Sequence, residues 1–148
     1  MKEKEILQIT AELLEEAKCA LLATVSKDGV PKMRWMTPLF LRDGDREFYC
    51  ITSPESEKIK HLQGNNNTNW QIQKRDLTEI INIKGKTEII DNPSLKSQII
   101  EKIGKRLHAF WKQKDDSTDF LVLMTSIDEI EYFTSMKGKK EKTRLRKG

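Results

Sequence analysis

Very short connections separate the apolar segments in the first half of this chain, and they limit the folds that are open to it. A Lys-Asp-Gly turn at residues 27–29 separates an apolar run at 20–25 from an extended segment at 30–41, and residues 43–45 lead into another apolar run at 47–52. Parallel strands need crossover connections of about a dozen residues or more. The sequence therefore predicts consecutive antiparallel strands, beginning with a β-hairpin, rather than a doubly wound sheet.

The rest of the chain contains segments with helical and strand-like patterns. Apolar residues recur at helical spacing among acidic ones over residues 3–18, which predicts an amphipathic helix. Gly85 interrupts a long strand-like segment, where a bulge or a barrel bend is expected. The other predicted elements are a short helix ending near Leu62, strands at 69–74, 79–90, 120–126 and 130–134, and a helix from Asn92 to Lys105 or Lys114. We predict one domain over residues 1–136, mainly β with flanking helices, folded as an antiparallel barrel.

The net charge of +4 is unevenly distributed along the 148 residues. Residues 137–148 carry seven Lys or Arg and one Glu, so the rest of the chain is acidic overall. A short basic tail of this kind is usually solvated, although it can contact the phosphates of nucleic acids or membranes. Apolar runs stay well below the roughly 18 to 20 residues of a membrane span, and the first residues lead into an acidic helix. We therefore expect a cytoplasmic protein with a basic tail at 137–148.

Several common catalytic and metal-binding motifs are incomplete or missing in the sequence. Gly85, Lys86 and Thr87 resemble the end of a phosphate-binding P-loop, but Ile80 stands where the first glycine belongs. A Gly-x-Ser-x-Gly nucleophile motif is missing. The possible zinc ligands, which are Cys19, Cys50, His61 and His108, lack ligand spacing, so no metal is expected. The two cysteines lie in strand-like segments and are expected to be free thiols rather than a disulfide.

Groups suited to a phosphate monoester are concentrated between residues 32 and 58. The pattern places Lys32 and Arg34 on one strand, Thr52 and Ser53 at the end of the next, and Ser56 and Lys58 at the start of a helix. Hydroxyls, cationic side chains and the N–H groups of a helix start are the donors that phosphate requires. Each residue alone has an ordinary interpretation, as a surface charge or a helix cap. Their occurrence together favours an anion site.

At this point the sequence resembles a known family. Residues 20–41, 47–62 and 81–92 resemble the FMN-binding split β-barrel family of the pyridoxamine 5′-phosphate oxidase-like superfamily, in particular its general stress protein branch. Residues 120–133 resemble the closing strands of that family. The resemblance implies an antiparallel split β-barrel that binds FMN and pairs as a homodimer, since so small a barrel cannot enclose FMN alone.

The resemblance also implies which residues contact the flavin. Arg34, Ser56 and Lys58 would bind the phosphate, Trp35, Met36 and Thr37 would line the edge of the ring, and Thr52 and Ser53 would contact the ring or ribityl chain. An aromatic residue of the partner subunit would approach the flavin, and Trp111, Tyr132 and Phe133 are the candidates; ordinary core or dimer packing is an equal alternative for each. Trp35, Trp70 and Trp111 are candidates for burial between subunits.

The departures from the family bear on the reaction. Ile80 lies near a position where true pyridoxamine-phosphate oxidases carry Gln, and their C-terminal Arg and His block is missing, which argues against vitamin B6 oxidation. A histidine segment of the heme-degrading relatives is also missing, whereas deazaflavin binding remains open. We therefore predict an FMN-dependent oxidoreductase whose flavin is reduced by NAD(P)H or a small organic reductant.

Two other functions remain as alternatives. One is a flavin-binding stress or sensory protein without turnover. The other is a nucleic-acid-binding barrel, against which the segregation of basic residues in the tail argues, since such barrels carry aromatics on a basic sheet face.

Overall fold

The computed structural model describes residues 1–104 and 120–145, which form one seven-stranded antiparallel sheet with three α-helices. The elements are α1 (Glu3–Ala17), β1 (Ala20–Val25), β2 (Pro31–Met36), β3 (Glu47–Thr52), α2 (Glu57–Gly64), β4 (Asn67–Gln73), β5 (Glu79–Ile90), α3 (Pro93–Ile103), β6 (Leu121–Thr134) and β7 (Lys139–Arg144). Neighbouring strands follow the order β2-β1-β4-β5-β6-β3, and β7 also pairs with β6. The mainly β, antiparallel architecture predicted from the short turns is confirmed.

Strand β6 is continuous, whereas two strands were predicted from residues 120–126 and 130–134. It pairs with β5 along its length, with β3 through its first half and with β7 through its second half. The polar residues that suggested a break surround a bulge, where Asp128 is the extra residue opposite the step from Lys84 to Gly85. The prediction of a bulge at Gly85 is confirmed. Beside this bulge, the second partner of β6 changes from β3 to β7.

Gly85 lies so close to β6 that a side chain has no room. A Cβ atom at this position would lie 2.4 Å from the carbonyl oxygen of Ser126 and 3.2 Å from Cγ2 of Thr125. Real Cβ contacts of 2.4 Å with a backbone oxygen essentially never occur. Glycine is therefore needed here for close strand approach rather than for an unusual φ.

The barrel core forms around two aromatic rings, those of Phe48 and Trp70, whose centroids are 5.1 Å apart in an edge-to-face arrangement. Trp70 is only 1% exposed, and its Nε1 donates a hydrogen bond to Thr125 Oγ1 at 3.1 Å. Helix α1 adds Ile6, Leu7, Leu13 and Leu14 to the same core. Trp70 is thus part of the core of a single chain, so its suggested burial between subunits was wrong.

Helix α3 forms a second apolar cluster on the other face of β3. Its Ile99 and Ile103 pack with Ile51 and Val122. Asn92 caps the helix by accepting a hydrogen bond from the backbone N–H of Leu95 at 3.1 Å. The predicted extension of this helix toward Lys114 falls outside the described residues. None of the helices in the described ranges is long and apolar enough to cross a membrane.

The basic C-terminal segment differs from the solvated tail that we predicted. Strand β7 pairs with residues 129–134 of β6, and Leu145 is buried in the core. Two of its cations face carboxylates on β6, with Lys142 Nζ 3.9 Å from Glu131 and Arg144 Nε 3.6 Å from Glu129. Residues 139–145 therefore belong to the barrel, and part of their charge is balanced within it.

Candidate functional site

Lys58 lies in the first turn of α2 and is buried, with 7% of its surface exposed. Its Nζ donates hydrogen bonds to Thr52 Oγ1 at 2.7 Å and to Ser56 Oγ at 2.5 Å. Burial, together with the nearby positive charge of Arg34, lowers the pKa of Lys58. The structure thus brings Thr52, Ser56 and Lys58 together, as the anion-site hypothesis requires.

Arg34 lies on β2 beside this lysine and is half-buried. Its Nη1 donates to Thr24 Oγ1 at 2.7 Å and to the carbonyl oxygen of Leu22 at 3.3 Å. Burial lowers the pKa of Arg34, and the carboxylate of Glu57 partly opposes this effect. A guanidinium keeps its charge under such conditions, so β2 and α2 hold two cations close to each other.

These two cations have hydroxyl partners rather than carboxylate partners. Within residues 1–104 and 120–145, neither Arg34 nor Lys58 has an acidic oxygen within ion-pair distance. Ser56 and Thr52 accept from Lys58 and keep their own hydroxyl hydrogens for another acceptor. Two desolvated cations with spare donors make up a site for an anion, and a phosphate group matches both the charge and the donor set.

The sequence interpretation missed Thr24 and His61. The Thr24 hydroxyl lies 2.8 Å from Nδ1 of His61, and both residues are buried. His61 Nε2 lies 3.4 Å from the carboxylate of Glu57. The register could have revealed Thr24, because Leu22 opposes Arg34 and alternation puts Thr24 on the same face. His61 follows Glu57 by four residues and Lys58 by three, so all three lie on one side of α2.

The residues predicted to line the flavin ring lie along and just beyond β2. Trp35 is 59% exposed and lies on the face of β2 opposite to Arg34. Met36 is half-buried against the core, and Thr37 follows the strand and is half-buried. Ser53 accepts a hydrogen bond from the backbone N–H of Glu55 at 3.4 Å within its own loop, whereas Thr52 and Ser56 accept from the lysine.

Tyr132, an aromatic candidate from the second half of the chain, has its hydrogen-bond partner away from this cluster. Tyr132 donates a hydrogen bond to the carboxylate of Glu79, and burial with this carboxylate raises the pKa of Tyr132 to about 12. Strands β1, β4 and β5 separate its strand, β6, from β2 in the sheet. Trp111 lies outside the described residues.

Two surface grooves lie away from the cation cluster. They have volumes of about 740 and 790 Å³, and both include Leu41, Arg42 and Lys102 in their walls, but neither includes Arg34 or Lys58. A groove of about 490 Å³ borders the exposed side of Trp35. The charge and hydrogen-bonding groups therefore identify the candidate site better than groove size does.

Comparisons with known proteins identify the family and the fold of this chain. The family model described as pyridoxamine 5′-phosphate oxidase matches residues 7–134. No curated protein matches the chain.

Three similar solved structures have closely related folds. A protein related to general stress protein 26 from Clostridium acetobutylicum has a TM-score of 0.77 at 18% identity, with 98% of this chain and 97% of that chain covered. A putative pyridoxamine 5′-phosphate oxidase from Listeria innocua has a TM-score of 0.65 at 26% identity, over 86% and 94% of the two chains. A pyridoxamine 5′-phosphate oxidase-related, FMN-binding protein from Nostoc punctiforme has a TM-score of 0.64 at 13% identity, over 93% and 95%. Since the family model spans most of its length, the chain belongs to the pyridoxamine 5′-phosphate oxidase family.

Proposed function

We propose that this protein binds FMN and holds its phosphate between Arg34 on β2 and Lys58 on α2. The observation that carries the proposal is the pair of cations, one buried and one half-buried, whose partners are three hydroxyls and the main-chain carbonyl of Leu22. A dianionic phosphate would replace the missing counter-charge and accept from the guanidinium, the ammonium and the Ser56 hydroxyl. The family membership and the FMN-binding relative from Nostoc punctiforme support flavin as the bearer of that phosphate.

The rest of the flavin would extend from this phosphate along β2. In the proposal, Thr52 and Ser53 contact the ribityl chain or the ring, and Trp35, Met36 and Thr37 border the ring edge. Trp35 offers a large exposed aromatic surface next to the phosphate-binding arginine in sequence but on the opposite face of β2, so the flavin would pass the outer edge of this strand to reach it. The exposed ring and the groove beside it are suited to stacking and shielding of a planar group.

The reaction we propose is flavin-dependent oxidation and reduction. FMN, when bound, supplies two-electron chemistry between NAD(P)H or a small organic reductant and an acceptor. The protein's residues would bind the phosphate, orient the ring and keep water from one face, and no side chain would serve as an acid or base. A flavin-binding protein without turnover is distinguished by tight FMN binding with no steady-state consumption of NAD(P)H. The pairing of Lys142 and Arg144 with β6 carboxylates argues against the nucleic-acid alternative.

A homodimer would complete the site. Strand β2 is an edge strand in the sheet order, and Val30, Met33 and Trp35 expose apolar side chains along it. A second copy covering this strand would bury those side chains and enclose the flavin ring. In this proposal Tyr132 approaches the flavin from the partner subunit, and the sequence prediction gives Trp111 the same part.

Substitution of Trp35 by glutamate is expected to weaken self-association about 30-fold, since a buried aromatic at an interface centre contributes about 2 kcal/mol. Sedimentation equilibrium over a concentration series measures this directly. Met136→Glu is the matched control, because Met136 is 85% exposed and lies outside β2. A monomeric wild-type protein at tens of micromolar, or an unchanged dimer in the Trp35 variant, would contradict the proposed interface.

The flavin proposal is tested by titrating the purified, ligand-free protein with FMN, FAD and riboflavin and recording the visible flavin bands. We expect saturable shifts with FMN at micromolar concentration and much weaker binding of riboflavin, which lacks the phosphate. Equal affinity for FMN and riboflavin would argue that the cation pair does not hold the phosphate. Absence of any shift at high micromolar FMN would rule out the proposed function.

A further inference from the structure

We propose that His61 is a positioning residue, which acts through the Thr24 hydroxyl to fix the direction in which Arg34 presents its guanidinium to a phosphate group. The inference rests on the proposed phosphate site. It adds residues that hold Arg34 in place without contacting the phosphate themselves. The contacts involved connect α2, β1 and β2.

A continuous series of polar contacts joins the three elements. Glu57 Oε1 lies 3.4 Å from His61 Nε2, His61 Nδ1 lies 2.8 Å from Thr24 Oγ1, and Thr24 Oγ1 accepts from Arg34 Nη1 at 2.7 Å. Thr24 is fully buried and His61 is 5% exposed, so water does not compete for the two central contacts. In a desolvated setting such hydrogen bonds are strong and directional.

One arrangement of hydrogens gives every group in this series a partner. A guanidinium can only donate, so Thr24 Oγ1 accepts from Arg34, and its own buried hydrogen finds an acceptor in Nδ1 of His61 when the imidazole hydrogen is on Nε2. In that tautomer the Nε2 hydrogen faces the carboxylate of Glu57. Glu57 therefore favours this tautomer of His61, and in it His61 orients the Thr24 hydroxyl.

These contacts restrict which N–H groups of Arg34 can bind a ligand. Its Nη1 is committed to Thr24 and to the Leu22 carbonyl, which leaves the N–H groups of Nη2 and Nε for a ligand. A guanidinium anchored on one side loses less freedom when it binds phosphate. Because Lys58 lies on the same helix as His61, α2 sets the position of both cations.

Three substitutions test this series of contacts from Glu57 to Arg34, called the relay below. The measured quantities are the affinities for FMN and for riboflavin. Thr24→Val and His61→Leu remove the hydroxyl and the acceptor, and each is expected to lower the preference for FMN over riboflavin about tenfold, the effect of a lost hydrogen bond to a charged group. His61→Asn keeps an acceptor near the position of Nδ1 and is expected to restore most of that preference. Thr10→Val is the matched control, since Thr10 is a buried threonine on α1 whose hydroxyl donates to Ile6. A merely structural role would weaken both flavins equally and would give no rescue.

Inorganic phosphate separates this inference from the flavin proposal. The probe is a phosphate titration of the FMN-free protein, followed by the NMR signals of the Arg34 side chain and the ring nitrogens of His61. Weaker phosphate binding in Thr24→Val, with an unprotonated Nδ1 in the wild type, supports the relay even if FMN fails to bind. Unchanged phosphate affinity in Thr24→Val and His61→Leu overturns the relay, whether or not FMN binds. If the wild type binds neither phosphate nor FMN, both the relay and the proposed flavin site are contradicted.

Discussion

Replacement of Arg34 by alanine is expected to weaken FMN binding about 100-fold, because a charge-assisted hydrogen bond to a phosphate contributes up to about 3 kcal/mol. The loss should concern the phosphate only, so the affinity for riboflavin should change little. Flavin absorbance titrations of the ligand-free variant measure both constants. Lys58 would also lose the neighbouring charge that lowers its pKa, although burial, the larger cause, would remain.

Arg144→Ala is a suitable control for the loss of one positive charge. Arg144 lies on β7, and 89% of its side chain is exposed. The same change in net charge there should leave FMN affinity nearly unchanged, because Arg144 is not part of the cation cluster and salt screens exposed charges. Equal losses in the two variants would indicate that general electrostatic attraction, rather than a phosphate site at Arg34, governs binding.

The second large effect is expected at Gly85, where alanine should destabilise the protein by about 3 kcal/mol, at the upper end of the range for overpacking. The added methyl group would meet the Ser126 carbonyl oxygen at 2.4 Å, and this oxygen belongs to the central strand β6. A backbone atom cannot rotate away as a side chain can, so two strands must separate. Urea unfolding of the FMN-free variant, followed by circular dichroism, gives the change in free energy.

Gly64→Ala provides the comparison for this substitution. Gly64 ends α2, and a Cβ atom there would meet nothing within 4 Å. Alanine at that position should be neutral or stabilising by about 0.5 kcal/mol, because it restricts the unfolded chain. If Gly85→Ala proved no more harmful than Gly64→Ala, close approach of β5 and β6 would not be the reason for the glycine.

The fold was largely predictable because its elements leave local signals. The short turns determined antiparallel pairing, and the glycine within β5 indicated the bulge that the register shift shows. The continuity of β6 was not predictable, because polar residues at a bulge look like the end of a strand. The pairing of β7 was hidden for a related reason. Its lysines suggest a solvated tail. They are compatible with a sheet because glutamates on the neighbouring strand β6 offset part of their charge.

The candidate site was predictable where chemistry and sequence proximity coincide. Ser56 and Lys58 are two residues apart at a helix start, and Arg34 stands out on a strand of alternating character. Thr24 and His61 could not be identified in this way, because a buried threonine and a buried histidine are ordinary core residues in sequence. They gain a role only through contacts across three elements, with 37 residues of chain separating the two.

The pairing of β3 has a consequence for the order in which the protein is made. All six residues of β3 pair with β6, and the other partner of β3 is the isolated bridge between Leu39 and Tyr49. During synthesis from the N-terminus, β1, β2 and β4 have all their partner strands once β5 has been made, and β5 already has β4. Strand β3 has no partner strand until residues 121–126 have been translated. Thr52 ends β3 and anchors Lys58, so the anion site is completed only after residues 121–126 have left the ribosome. A partly synthesised chain would therefore lack the site, and the cofactor would be acquired after translation.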